Sequence, residues 1–115
     1  MATKSQPAHE KVPTQAAEHR PAESAEAYVR ALMAYGVECL FMNPGTDTIP
    51  IQEALSKLQQ QGEPVPRTVL CLFERVALAA AHGYYQATGR PQAVLVHVDV
   101  GTQNLGGMVH NAQRG

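Results

Sequence analysis

Apolar positions change their period several times along the chain, and each change marks an element. Between Ser24 and Tyr35, Ala25, Tyr28, Val29 and Leu32 recur at helical spacing. This is the stripe of an amphipathic helix that Ser24 can cap and Gly36 ends. Val37–Met42 (VECLFM) is short and nearly continuous in its apolar character, as a buried strand is. A second helical stripe, Ile51, Ala54, Leu55 and Leu58, follows a cap at Thr48, with Pro50 tolerated in the first turn. The run Val69–Phe73 has no helical period and predicts a second buried strand. At Glu74 the pattern turns alanine-rich and helical, closing at Thr88-Gly89 with Pro91 just beyond. Gln92–Val98 (QAVLVHV) predicts a third strand. The glycine-bearing stretch Asp99–Thr102 reads as a loop, and a last helix is expected to start near Gln103.

Helices between buried strands imply right-handed βαβ units, so the class is α/β: a parallel sheet of three predicted strands with flanking helices. The connections are polar. Asn43-Pro44-Gly45-Thr46-Asp47 has turn composition, with Pro and Gly setting the backbone and Asn and Asp satisfying it locally. Residues 1–22 are rich in Ala, Lys, Glu, His, Gln and Pro and are expected to be a disordered tail, since little in them can be buried. Residues 23–115 then form the domain. Three strands are few for a sheet that needs both faces covered, and no closing strand follows the last helix, so a fragment is expected.

Composition narrows the function. Nine Lys+Arg stand against ten Asp+Glu, which points to neither nucleic acid nor a membrane surface. No apolar run approaches the roughly 20 residues of a membrane span, and the N-terminus lacks the apolar core of a secretory signal. A cytoplasmic location is expected, with Cys39 and Cys71 reduced and buried in strands. His82 and His110 lie on separate predicted helices without metal-ligand spacing, so no metal site is expected within the chain. Gly101, Gly106 and Gly107 are too widely spaced for a dinucleotide fingerprint.

Parallel topology brings three loops to the carboxyl edge of the sheet, where ligands bind in open α/β folds: Asn43–Thr48, Phe73–Arg75 and His97–Asn104. Glu74 is the carboxylate among them. The helix N-terminus favours its ionised form, whereas Leu72, Phe73 and Val76 favour the neutral form if they exclude water. A carboxyl near that balance suits proton transfer; an ordinary first-turn glutamate is the competing reading. His97, at a strand end, reads from its position as a hydrogen-bonded structural residue.

Several segments together carry a resemblance: Gly36–Phe41, Asn43-Pro44-Gly45, Phe73-Glu74-Arg75, Gly83–Pro91 (GYYQATGRP) and Gly101–Leu105 (GTQNL). In this order they resemble the N-terminal, pyrimidine-binding domain of thiamine-diphosphate enzymes of the acetolactate synthase and benzoylformate decarboxylase kind, over about residues 24 to 115. The resemblance implies that Glu74 hydrogen-bonds the cofactor's aminopyrimidine and activates it for ylid formation at C2. It implies cofactor contacts at Asn43, Pro44, Gly45, Gly101 and Asn104, and a catalytic role for His97. Thr46 and His97 would face a small 2-oxo acid-type substrate, His97 leaning towards decarboxylase or lyase chemistry. Phe73 departs from the histidine common before the catalytic Glu. The Mg²⁺ and diphosphate ligands are expected in a C-terminal domain absent from this chain. The implied partner is a second copy, in a homodimer or homotetramer, or a chain carrying that domain. Acting alone, the chain is expected to be inactive, and a non-catalytic module that dimerises with a full-length relative is the alternative.

Overall fold

The computed structural model describes residues 24–115; the tail expected over 1–22 lies outside the described residues. The elements in chain order are α1 (Ser24–Ala34), β1 (Cys39–Asn43), a single 3₁₀ turn (Thr46–Thr48), α2 (Ile49–Gln60), β2 (Arg67–Leu70), α3 (Glu74–Thr88), β3 (Ala93–Val96), α4 (Val98–Asn104) and α5 (Gly106–Arg114). The three strands form one parallel sheet in the order β2-β1-β3. Cys39–Met42 pairs with Arg67–Leu70, and Leu40–Asn43 pairs with Ala93–Val96.

Strand alternation divides the core between two helical layers. Leu40 of β1 packs with Val29 of α1 and Ala54, Leu55 and Leu58 of α2, and Ala93 and Leu95 of β3 join that face. Cys39 and Phe41 point the other way, to Cys71 and to Ala77 and Ala81 of α3, with Val69 and Val94 beside them. Successive strand side chains alternate faces, so one short strand serves both layers. Both cysteines are buried and free, as expected, but only Cys39 lies in a strand; Cys71 follows the end of β2. The alanines on α3 keep that helix close to the sheet.

Ion pairs fasten α1 to α2. The buried carboxylate of Glu26 meets Lys57 Nζ at 2.5 Å and Arg30 Nη1 at 3.4 Å. Arg30 also grips Glu63 with both arms of its guanidinium, at 2.8 and 2.9 Å. At the amino end of the sheet, Tyr84 and Arg90 both donate to the Glu38 carboxylate. The Gln92 side-chain oxygen accepts the backbone N–H groups of Glu38 and Cys39, at 3.0 and 2.6 Å. Tyr84 and Arg90 of the GYYQATGRP stretch, with Gln92 just beyond it, therefore clamp the end of α3 to the start of β1.

Three expectations need correction. The second strand is Arg67–Leu70, not Val69–Phe73, and it is not buried: Leu70, Leu72 and Phe73 are 69%, 90% and 51% exposed. Among the described residues it pairs on one side only. Its ladder ends where Cys71 N–H donates to Met42 O at 2.8 Å, and the chain bends so that α3 can start at Glu74. The stretch Asp99–Thr102 is helix rather than loop, because Gly101 serves close packing. A Cβ there would lie 3.0 Å from Val96 Cβ, so the missing side chain lets α4 sit on the end of β3. Thr48 precedes α2 but makes no capping bond; its hydroxyl donates back to Gly45 O at 2.7 Å. Gly36 and Gly89 end their helices at φ +76° and +71°, as their type predicts.

Lys57, opposed by burial and helped by Arg30, holds the Glu26 carboxyl below the ordinary glutamate range. A depressed carboxylate contributes stability above its unfolded pKa and loses it as pH falls through its folded one. The Glu26→Gln variant is therefore expected to be less stable than wild type at neutral pH, and the difference to shrink on acidification below the carboxylate range. Urea midpoints measured from neutral to acid pH check this; a pH-independent difference contradicts it.

Candidate functional site

The three loops at the carboxyl edge are tied together by side chains. Asn43, the last residue of β1, donates its amide to Cys71 O at 3.0 Å, which fixes the bend leading into α3. Asp47, past the β1 turn, pairs through Oδ1 with His97 Nδ1 and accepts the Val98 N–H on Oδ2 at 3.3 Å. Asn104, the last residue of α4, donates to Glu74 Oε2 at 3.1 Å. Each bond joins segments at least 28 residues apart in sequence.

Glu74 opens α3 behind an extended Phe73 (φ −146°, ψ 139°) and is only 9% exposed. Its apolar neighbours do not enclose it. Leu72, Phe73 and Val76 turn outward, and the Arg75 guanidinium lies over the Phe73 ring at 5.3 Å. The burial of Glu74 thus does not come from the side chains expected to supply it. Asn104 engages one carboxylate oxygen, and no donor among the described residues reaches Oε1. Beside this pair a cleft of about 630 Å³ is lined by Arg75, Gln103, Asn104, Met108, His110 and neighbouring residues.

His97 caps the turn between β3 and α4 and stays partly exposed. Its ring lies directly against Gly45. A Cβ on Gly45 would come within 2.0 Å of Nδ1 and 2.2 Å of Cγ. Gly45 is extended (φ −130°, ψ −172°), a backbone open to any residue, so what this glycine supplies is space rather than an unusual turn. The hydrogen bond from His97, opposed by partial burial and helped by Val98 N–H, holds the Asp47 carboxyl below the ordinary aspartate range.

The fold thus gathers most of the residues singled out in the sequence. Glu74 and Asn104 touch, Gly45 and His97 touch, and Asn43 holds the bend before Glu74. Thr46 stands exposed between Gly45 and Asp47, with Pro44 half-buried before them. Gly101 sits apart, buried against Val96. Asn43 and Asp47 have the composition of local turn residues, yet both bond to distant loops. Sequence reasoning misses Asp47 as a site residue. The signal for it is a carboxylate and an imidazole on two loops that parallel topology sends to the same edge.

Comparison with known proteins identifies the family. The family model described as thiamine pyrophosphate enzyme, N-terminal TPP binding domain, matches residues 22–115. The chain belongs to this family. Among its relatives is the Mycobacterium tuberculosis protein IlvX, named for an acetolactate synthase large subunit and 41% identical over 90 residues, 78% of this chain and 16% of IlvX. The chloroplastic acetolactate synthase of Arabidopsis thaliana is 30% identical over 86 residues, 75% of this chain and 12% of that protein. Acetolactate synthase 3 of Brassica napus, also chloroplastic, is 32% identical over 85 residues, 74% of this chain and 12% of that protein. The chain spans less than a fifth of the length of these curated relatives. Thiamine diphosphate is accordingly the cofactor this domain family binds, and a three-stranded parallel sheet with flanking helices is the part of the fold seen here.

Replacing Gly45 with alanine is expected to push the His97 ring off the loop and break its contact with Asp47, at a cost of about 1–3 kcal/mol typical of overpacking. A shifted His97 ring resonance together with a lower urea midpoint checks this. An unchanged ring environment contradicts it.

Proposed function

We propose that the chain supplies the pyrimidine-binding half of a thiamine-diphosphate site in an acetolactate synthase-like or 2-oxo acid decarboxylase-like enzyme, with Glu74 as the carboxyl that shares a proton with the cofactor's aminopyrimidine. The observation that carries this reading is the state of Glu74. It is nearly buried, stands at the first turn of a helix at the carboxyl edge of a parallel sheet, and has one oxygen held by Asn104. Fixing one oxygen orients the carboxyl, and the other remains to bond a ring nitrogen. That donor set fits an aminopyrimidine.

When bound, thiamine diphosphate supplies an electron sink at a carbonyl carbon, for cleaving or forming a carbon–carbon bond. Glu74 holds and returns a proton at the pyrimidine ring, which requires a carboxyl whose two protonation states are close in free energy. Asn104 holds the carboxyl's orientation through its amide. Asn43 keeps the preceding bend in register, and Pro44 and Gly45 shape the neighbouring wall. Thr46 and His97 are assigned to the substrate, on the two loops that Asp47 joins.

Completion of the site is assigned to a partner. Leu72, Phe73 and Val76 flank Glu74 and face outward, and large exposed apolar side chains grouped in this way mark interaction surfaces. A second subunit, or a chain carrying the diphosphate half with its Mg²⁺, would cover them and dry the Glu74 environment. The same face suits a non-catalytic module that dimerises with a full-length relative.

In the assembly that carries both halves, thiamine diphosphate with Mg²⁺ is expected to bind. Glu74→Gln should then slow hydrogen–deuterium exchange at the cofactor's C2 by at least about a hundredfold, the scale of general acid–base assistance. Exchange that is unchanged by the substitution would remove Glu74 from this role.

A further inference from the structure

Asp47 does more than close a turn. Both its carboxylate oxygens reach across to the other loop, one to His97 Nδ1 and one to the Val98 backbone N–H. Val98 has φ +37°, the one positive-φ residue other than glycine among the described residues. That region is strained for a β-branched side chain and persists only where the surroundings over-determine it. The Asp47 bond to Val98 N–H is one such constraint. Gly45 supplies another, because the imidazole occupies the space its Cβ would fill. The ring is thereby held by its own backbone, by a carboxylate at Nδ1 and by a bare glycine under its face.

We infer that Asp47 is a positioning residue for His97: its carboxylate accepts a hydrogen bond from Nδ1–H, fixes that tautomer and ring orientation, and leaves Nε2 as the nitrogen that exchanges a proton with a bound carbonyl substrate. The inference rests on the assignment of His97 to the substrate and deepens it. Which imidazole nitrogen carries the proton is set by the bond the other nitrogen makes. A carboxylate on Nδ1 that orients the ring without itself taking up the proton is the arrangement of acyl-transfer triads. Here the ring is 36% exposed, and no partner among the described residues occupies Nε2. An incidental loop tie would satisfy Asp47 equally well through either tautomer of a freely turning ring; the crowding at Gly45 and the strained Val98 are features such a tie does not need.

The test is long-range ¹⁵N–¹H correlation on the full chain labelled at histidine, at a pH where His97 is neutral. The expected result is an Nδ1–H signature for His97 in wild type, its retention in Asp47→Asn, whose amide oxygen still accepts, and its loss in Asp47→Ala. A dominant Nε2–H tautomer in wild type would overturn the inference, as would an Nδ1–H signature that survives in Asp47→Ala. The wild-type spectrum decides even if the alanine variant does not fold. No cofactor enters the measurement, so a failure of the Asp47 role is distinguishable from a failure of thiamine-diphosphate binding.

Discussion

Parallel pairing on both sides of β1 is the constraint from which the rest follows. A strand hydrogen-bonded in the same direction to two neighbours sends all three chain ends out of one edge, and each must return through a helix. The β1, β2 and β3 exits consequently lie side by side, and polar residues at or after the ends of β1 and β3 reach across to the neighbouring exits. Asn43, Asp47 and Asn104 make those reaches. Without the common direction Glu74 and Asn104 would have no reason to meet, nor would Gly45 and His97.

The two ends of the sheet divide the work. The amino end is held by charge and amide contacts around Glu38, where Tyr84, Arg90 and Gln92 converge. Such exposed pairs are individually weak, yet together they fix where α3 ends, and hence, through a rigid helix, where its first residue Glu74 begins. The carboxyl end is tied by a comparable set of bonds, yet among the described residues one oxygen of Glu74, one nitrogen of His97 and the hydroxyl of Thr46 have no partner.

Much of this is legible in the sequence because it rests on period and punctuation. The stripes of α1 and α2, the alanine-rich α3 closed by Gly89, and the parallel class follow from spacing alone. The errors arise where an apolar or glycine residue answers to something outside its own segment. Leu72 and Phe73 look like strand because apolar runs usually mean burial; here they form an outward, exposed face. Gly101 looks like loop because glycine usually breaks helices, but it allows α4 to touch Val96. Gly45 looks like a turn former, and its function is to make room for an imidazole. Asp47 is the largest omission, since a carboxylate after Pro-Gly-Thr is indistinguishable from a turn residue until the opposite loop is in place.

The central claim is that Glu74, oriented by Asn104, meets the aminopyrimidine of thiamine diphosphate in a site completed by another polypeptide surface. A structure of the assembled enzyme with the cofactor bound tests this most directly. The expected result is a pyrimidine ring nitrogen within hydrogen-bonding distance of Glu74, the Asn104 contact intact, and Leu72, Phe73 and Val76 covered by the partner. A cofactor bound away from Glu74, with those three side chains still facing solvent, would contradict it.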